Sequence, residues 1–154
     1  MSKPDDASAR PGAALSGLET LRAFISAGKG PPIALTLGFD LLEVEPGRAV
    51  FGGTPGAQVY NPLGMVHGGY AATLLDSACG CAVHSQLGAT QTYTTLELKV
   101  AFHKPLFSET GPVRAEGTVL SLGRRVAFAE AKLTDASGRL YASATSTLLV
   151  IEQP

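Results

Sequence analysis

The chain has 154 residues, 45% of them apolar and 16% charged, with a formal net charge of −1. That length fits one domain with a buried core, and the near-neutral charge excludes nucleic acid as a partner, because counterion release needs a basic face. No apolar run reaches the ~18 residues that argue for a membrane span, and Met1–Pro11 has no apolar stretch of the signal-peptide kind, so a cytoplasmic protein is expected.

Residues 1–13 are Ser, Asp, Pro, Gly and Ala with little apolar content, the composition of a disordered tail ahead of a single domain over 14–154. Leu15, Leu18, Leu21 and Ile25 then recur at helical spacing, with Phe24 beside them. Ser16 and Glu19 have the spacing of a capping box, and Gly28 with Pro31-Pro32 ends the helix. From Ile33 the period changes towards two: Leu35, Leu37, Phe39 and Leu41 alternate up to Pro46-Gly47. This pattern predicts a strand turning into a second over 48–53.

A loop over 54–65 leads into a helix predicted for 68–85, apolar on nearly every side and therefore enclosed. The remainder reads as strand. Thr94, Leu96, Leu98, Val100 and Phe102 alternate with Tyr93, Thr95, Glu97 and Lys99. Strands over 111–122 and 125–134 follow, and the turn Asp135-Ala136-Ser137-Gly138 leads into a last one over 140–151. The expected architecture is α+β, an antiparallel sheet of five or six strands against one long central helix.

Asp76 is the one carboxyl among Ala71, Ala72, Leu74, Leu75, Ala78, Cys79, Cys81, Ala82 and Val83. Burying an unpaired carboxylate is costly, so either a partner neutralises it or a function retains it. Asn61, His67, Gly68 and Gly69 stand just upstream and are expected to supply polar donors and close backbone approach, with Gly69 at the substrate. Cys79 and Cys81 would point about 200° apart on a helix, which suits small buried thiols and neither a disulfide nor a shared metal.

The segment Asn61-Pro-Leu-Gly-Met-Val-His67-Gly68-Gly69, with Asp76 seven residues beyond, resembles the hotdog-fold acyl-CoA thioesterases. The nearest types are the phenylacetate-degradation and 4-hydroxybenzoyl-CoA enzymes. The likeness runs from about Pro32 to Ile151 and includes the strand Thr95-Leu-Glu-Leu-Lys-Val-Ala-Phe-His-Lys-Pro105. It implies a sheet wrapped around a central helix. It also implies Asp76 as carboxylate nucleophile or general base, Gly68 N–H as oxyanion donor, and Asn61 positioning the thioester or the attacking water. Thr95 is implied to orient water, and His67 to serve mainly as a structural residue. No metal or cofactor is implied beyond the coenzyme A of the substrate. Lys104, Arg124 and Arg125 are the candidates to meet the coenzyme A phosphates, with Arg favoured for its bidentate fork; solvated surface charge is the competing reading.

Plainer readings stand beside these. The competing reading of Asp76 is a structural carboxylate hydrogen-bonded to Ser77 or a neighbouring chain; Gly68-Gly69 reads as a close-packing pair, Asn61-Pro62 as a turn initiator, and His67 as a satisfied structural histidine. The three histidines lack metal-ligand spacing, and no G-x-S-x-G elbow is present. A non-catalytic hotdog module that binds acyl-CoA as a sensor is the main alternative. A hydratase ranks last, because residue 81 is Cys.

Helix geometry adds a constraint that holds without any resemblance. Gly68 and Asp76 are eight residues apart, about 12 Å along a helix. One carbonyl carbon cannot lie ~3 Å from both. If both act on one substrate they come from two chains, which predicts a homodimer with two composite sites, open to further assembly as a tetramer. The low charged fraction agrees with surface hidden in an oligomer.

Overall fold

The computed structural model describes residues 14–154; the tail expected over 1–13 lies outside the described residues. Helix α1 (Gly17–Ala27) opens on the predicted capping box. The Ser16 hydroxyl accepts from Glu19 N–H, the Glu19 carboxylate accepts from Ser16 N–H, and Gly28 closes the helix in the left-handed conformation at φ 61°.

The predicted strand from Ile33 is corrected in its first half. Residues Pro32–Leu37 form a short helix, α2, and β1 starts only at Phe39. Proline in the first helical turn costs no hydrogen bond, and Gly38 at φ 71° ends the turn. The apparent alternation of Leu35 and Leu37 misleads because Ala34 is the buried residue there, while Leu35 is 74% exposed.

The remaining elements follow the predicted order. They are β1 (Phe39–Glu45), β2 (Arg48–Gly53), α3 (Gly68–His84), β3 (Gln91–Phe102), β4 (Val113–Leu122), β5 (Val126–Asp135) and β6 (Leu140–Glu152). All pairings are antiparallel, in the order β1-β2-β4-β5-β6-β3. The six strands curve around α3, which carries the fully buried Leu74 and Leu75, each worth about 1.5–3 kcal/mol of burial. Gly117 of β4 lets the helix lie directly on the sheet: a Cβ there would collide with the Ala78 carbonyl group. A second cluster, Leu21 with Val44, Ala49 and Ala82, ties α1 to the same body.

A bulge changes the reading of β3. Its register against β6 shifts between Thr95 and Glu97, so Leu96 is the extra residue and is exposed. Tyr93, Leu98 and Val100 all pack against the core. The inward face therefore passes from odd to even positions across the bulge. Strict alternation would have put Leu96 inside and Thr95 outside; the bulge turns Thr95 towards α3.

Candidate active site

Helix α3 presents its two candidate groups at different places. At its N-terminus, His67 is the N-cap, and its Nδ1 accepts from Gly69 N–H at 2.8 Å. Gly69, one of the residues expected at the substrate, thus has its amide committed within the cap. Gly68 N–H is the first amide of the helix and has no hydrogen-bond partner among the described residues. The missing side chain matters, because a Cβ on Gly68 would lie 3.0 Å from the Phe102 ring.

Asn61 builds the loop leading to this terminus. Its Oδ1 accepts from the N–H groups of Leu63 and Met65 at 2.9 and 3.2 Å, and its carbonyl accepts from Gly64 N–H. This is the Asn-Pro turn in full, with Gly64 at φ 81°. Both side-chain contacts use Oδ1, so the amide nitrogen is not spent on them. Asn61, His67, Gly68 and Lys104 line one cavity of about 300 Å³ with Phe102.

Two turns further along α3, Asp76 opens into a different and larger cavity of about 610 Å³. The carboxylate is half-buried. Its Oδ1 accepts from the Thr95 hydroxyl at 3.0 Å, so the two residues expected to act together are in contact within one chain. A hydroxyl that donates to the carboxylate keeps its own lone pairs for a water. Tyr93, Ser77 and Cys81 share this cavity. Burial pushes the Cys81 thiol up to about 12, the same cause raises Cys79 to about 12, and burial likewise raises the Tyr93 phenol. Neither thiol is a nucleophile near neutral pH. Burial lowers the pKa of His84, whose ring meets Tyr93 edge-on at 5.6 Å.

Arg124 and Arg125 line neither cavity. They are exposed at the β4–β5 turn and flank a separate surface hollow with Leu149 and Glu152. Lys104 is the one expected phosphate-binding cation beside a candidate site group. Two lining residues escape sequence reading. Phe102 reads as core in the strand alternation, yet it is exposed and stands over Gly68; Tyr93 reads as the outward face until the bulge is known. Among the described residues no cluster of His, Cys, Asp and Glu is arranged to hold a metal ion. No helix among them is long and apolar enough to cross a membrane.

A long helix enclosed by a curved antiparallel sheet is a known fold class. Residues 63–142 match the Thioesterase superfamily. The chain belongs to that family and has its α+β hotdog fold. Among relatives, the 1,4-dihydroxy-2-naphthoyl-CoA hydrolase of Listeria monocytogenes is 24% identical over 115 residues, 75% of this chain and 92% of that protein. A thioesterase family protein of Silicibacter pomeroyi superposes with a TM-score of 0.77 at 27% identity, covering 89% of this chain and 99% of that one. A mutant form of the phenylacetic acid degradation protein PaaI from Thermus thermophilus gives a TM-score of 0.70 at 28% identity, over 77% and 98% of the two chains.

Proposed function

We propose that the protein is an acyl-CoA thioesterase releasing a carboxylic acid and free coenzyme A, with aromatic or medium-chain acyl groups as substrates. The observation that carries this is the division of labour along α3. The Asp76–Thr95 pair lines one cavity and the Gly68 amide another, eight residues away on the same rigid helix. Neither half suffices for thioester hydrolysis, which needs an attacking group and a stabilised oxyanion on one carbonyl.

Two chains complete each other in a homodimer. Asp76 and Thr95 of one subunit face Gly68 and Asn61 of the other. The twelve-residue strand β3 supports this assembly: it lies at the sheet edge and, among the described residues, pairs only with β6, which leaves its other side to meet a second copy. Exposed Leu120, Leu122 and Phe128 on β4 and β5 offer a further apolar contact by which dimers assemble into a tetramer.

In the reaction, Asp76 takes the proton of a water held by Thr95 and the water oxygen bonds the acyl carbon. Direct carboxylate attack, followed by hydrolysis of the resulting anhydride, is the equivalent covalent route. The oxyanion forms at the Gly68 N–H of the partner subunit, where the helix dipole adds to the amide. The carbon–sulfur bond then breaks and the thiolate receives the proton. Lys104 meets coenzyme A phosphate in preference to Arg124 and Arg125, since it lines the Gly68 cavity. The site asks for no cofactor, and the cytoplasm is the expected location.

The test is thiol release from a panel of acyl-CoA esters by wild type and Asp76→Ala. Wild type is expected to cleave at least one ester, and the variant to lose at least about 100-fold in kcat, the lower range of general-base contributions. A variant at full rate removes Asp76 from the chemistry. Acyl-CoA binding without turnover by wild type favours the sensor reading.

A further inference from the structure

Helix α1 does two different things along its length. Leu18 and Leu21 dock it onto the body, in the cluster with Val44, Ala49 and Ala82. Phe24 and Ile25 follow Leu21 at i+3 and i+4 and share its face, yet they are 44% and 37% exposed. Beneath them lies the cavity of about 610 Å³ that contains Asp76, whose apolar wall they form with Leu21, Leu41 and Phe51.

The helix is anchored at its start and closed at its end. Gly17 N–H donates to the Leu87 carbonyl at 3.0 Å, which fixes the start of α1 beside the end of α3. At the other end, Gly28 N–H donates to the Ile25 carbonyl and Lys29 N–H to the Phe24 carbonyl. Two large apolar side chains left half-exposed on a capped helix, facing a carboxylate across a cavity of this size, are the signature of a ligand wall. Lys29 and Asp40 also border the cavity, but both are exposed and keep their charges in water. The segment lies outside residues 63–142 that match the family.

We propose that α1 is the specificity element of the enzyme: Phe24 and Ile25 close the acyl chamber and set the length of the acyl group that reaches Asp76. The inference rests on the thioesterase reading for its chemistry, but not for its geometry. A hydrophobic wall discriminates by about 10–200-fold per methylene that does or does not fit.

The experiment measures Kd for a series of S-alkyl coenzyme A thioethers from C2 to C12, in parallel with kcat/KM for the matching acyl-CoA esters. Wild type, Phe24→Ala, Phe24→Trp, Ile25→Ala and Leu35→Ala are compared. Phe24→Ala and Ile25→Ala are expected to move the preferred length upward, changing the long-to-short preference by about tenfold, and Phe24→Trp to move it downward. Leu35→Ala, on the exposed face of α2, should leave the profile unchanged. Profiles that fall in parallel at all lengths would falsify the assignment, as would thioether binding that ignores chain length or an equal shift from Leu35→Ala. The thioethers cannot be hydrolysed. A length-dependent Kd without turnover therefore upholds the chamber while removing the catalytic reading, and turnover with an unshifted profile does the reverse.

Discussion

The two cavities along α3 differ in what they hold. The larger one has a carboxylate, a hydroxyl donating to it and an apolar wall, whereas the smaller has a helix terminus with an uncommitted amide, a loop asparagine and a lysine. In the proposed reaction the first attacks and holds the acyl group, and the second receives the negative charge. A single helix cannot bring its own start and middle together, so the difference teaches that, if both groups act on one thioester as proposed, the working site belongs to a pair of chains.

The sharpest way to break this comparison is Gly68→Pro. Gly68 is the first residue of α3, where proline is favoured, and His67 has φ −60° and ψ 135°, the extended geometry that a residue before proline prefers. The first turn therefore tolerates the proline while the Gly68 amide is deleted, and Gly68→Ala, which adds the same Cβ 3.0 Å from the Phe102 ring but keeps the amide, separates the loss of the donor from crowding. Loss of a single oxyanion donor is expected to cost about 2.7–4 kcal/mol, or roughly 100–1000-fold in kcat. Mixing this variant with Asp76→Ala should then restore activity. Half of the dimers are mixed, and each mixed dimer carries one intact site of two, giving about a quarter of the wild-type rate. Two inactive variants that stay inactive after subunit exchange, verified by native mass spectrometry, rule out the composite site.

A smaller effect is expected on the carboxylate side. Thr95→Val keeps the shape of the strand but removes the hydroxyl that donates to Asp76 at 3.0 Å. A hydrogen bond to a charged group is worth about 1.5–3 kcal/mol, so kcat should fall by roughly tenfold or more. Thr95→Ser restores the donor and should recover most of the loss. A shift of KM alone, with kcat intact, would assign Thr95 to binding instead.

These two halves are unequally legible in the sequence. Asp76 stands out because it is the one carboxyl in an apolar helix, and Gly68-Gly69 after His67 marks that helix's start. The eight-residue spacing alone then separates them. Thr95 carries no such signal. Strand alternation puts it with Glu97 and Lys99, and only the bulge at Leu96 turns it inward. A bulge leaves the composition of a strand unchanged, so periodicity cannot reveal it. The same limit hides α2, where the helix is set by Pro32 and Gly38 rather than by its apolar period. Arg124 and Arg125 qualify by the chemistry of guanidinium, yet the fold puts them beside neither cavity. Charge type is readable in sequence; which end of a sheet carries it depends on strand order.

The mildest prediction concerns His67, which lies between the two kinds of role. Its ring caps α3 through Gly69 N–H, so Nδ1 acts as the acceptor, and Gly68 stands next to it. If the ring is only a cap, His67→Ala should cost about 1 kcal/mol, a fall in Tm of roughly 2–4 °C for a chain of this size. Asparagine is among the best N-cap residues, so His67→Asn should regain that stability in a thermal melt. Activity should follow stability in both variants, because the Gly68 amide stays in place as long as the first turn does. A stable His67→Asn protein that loses kcat as heavily as Gly68→Pro would mean that the imidazole itself touches the substrate. The oxyanion end would then carry a titratable group, and the contrast between an attacking half and a purely dipolar half would no longer hold.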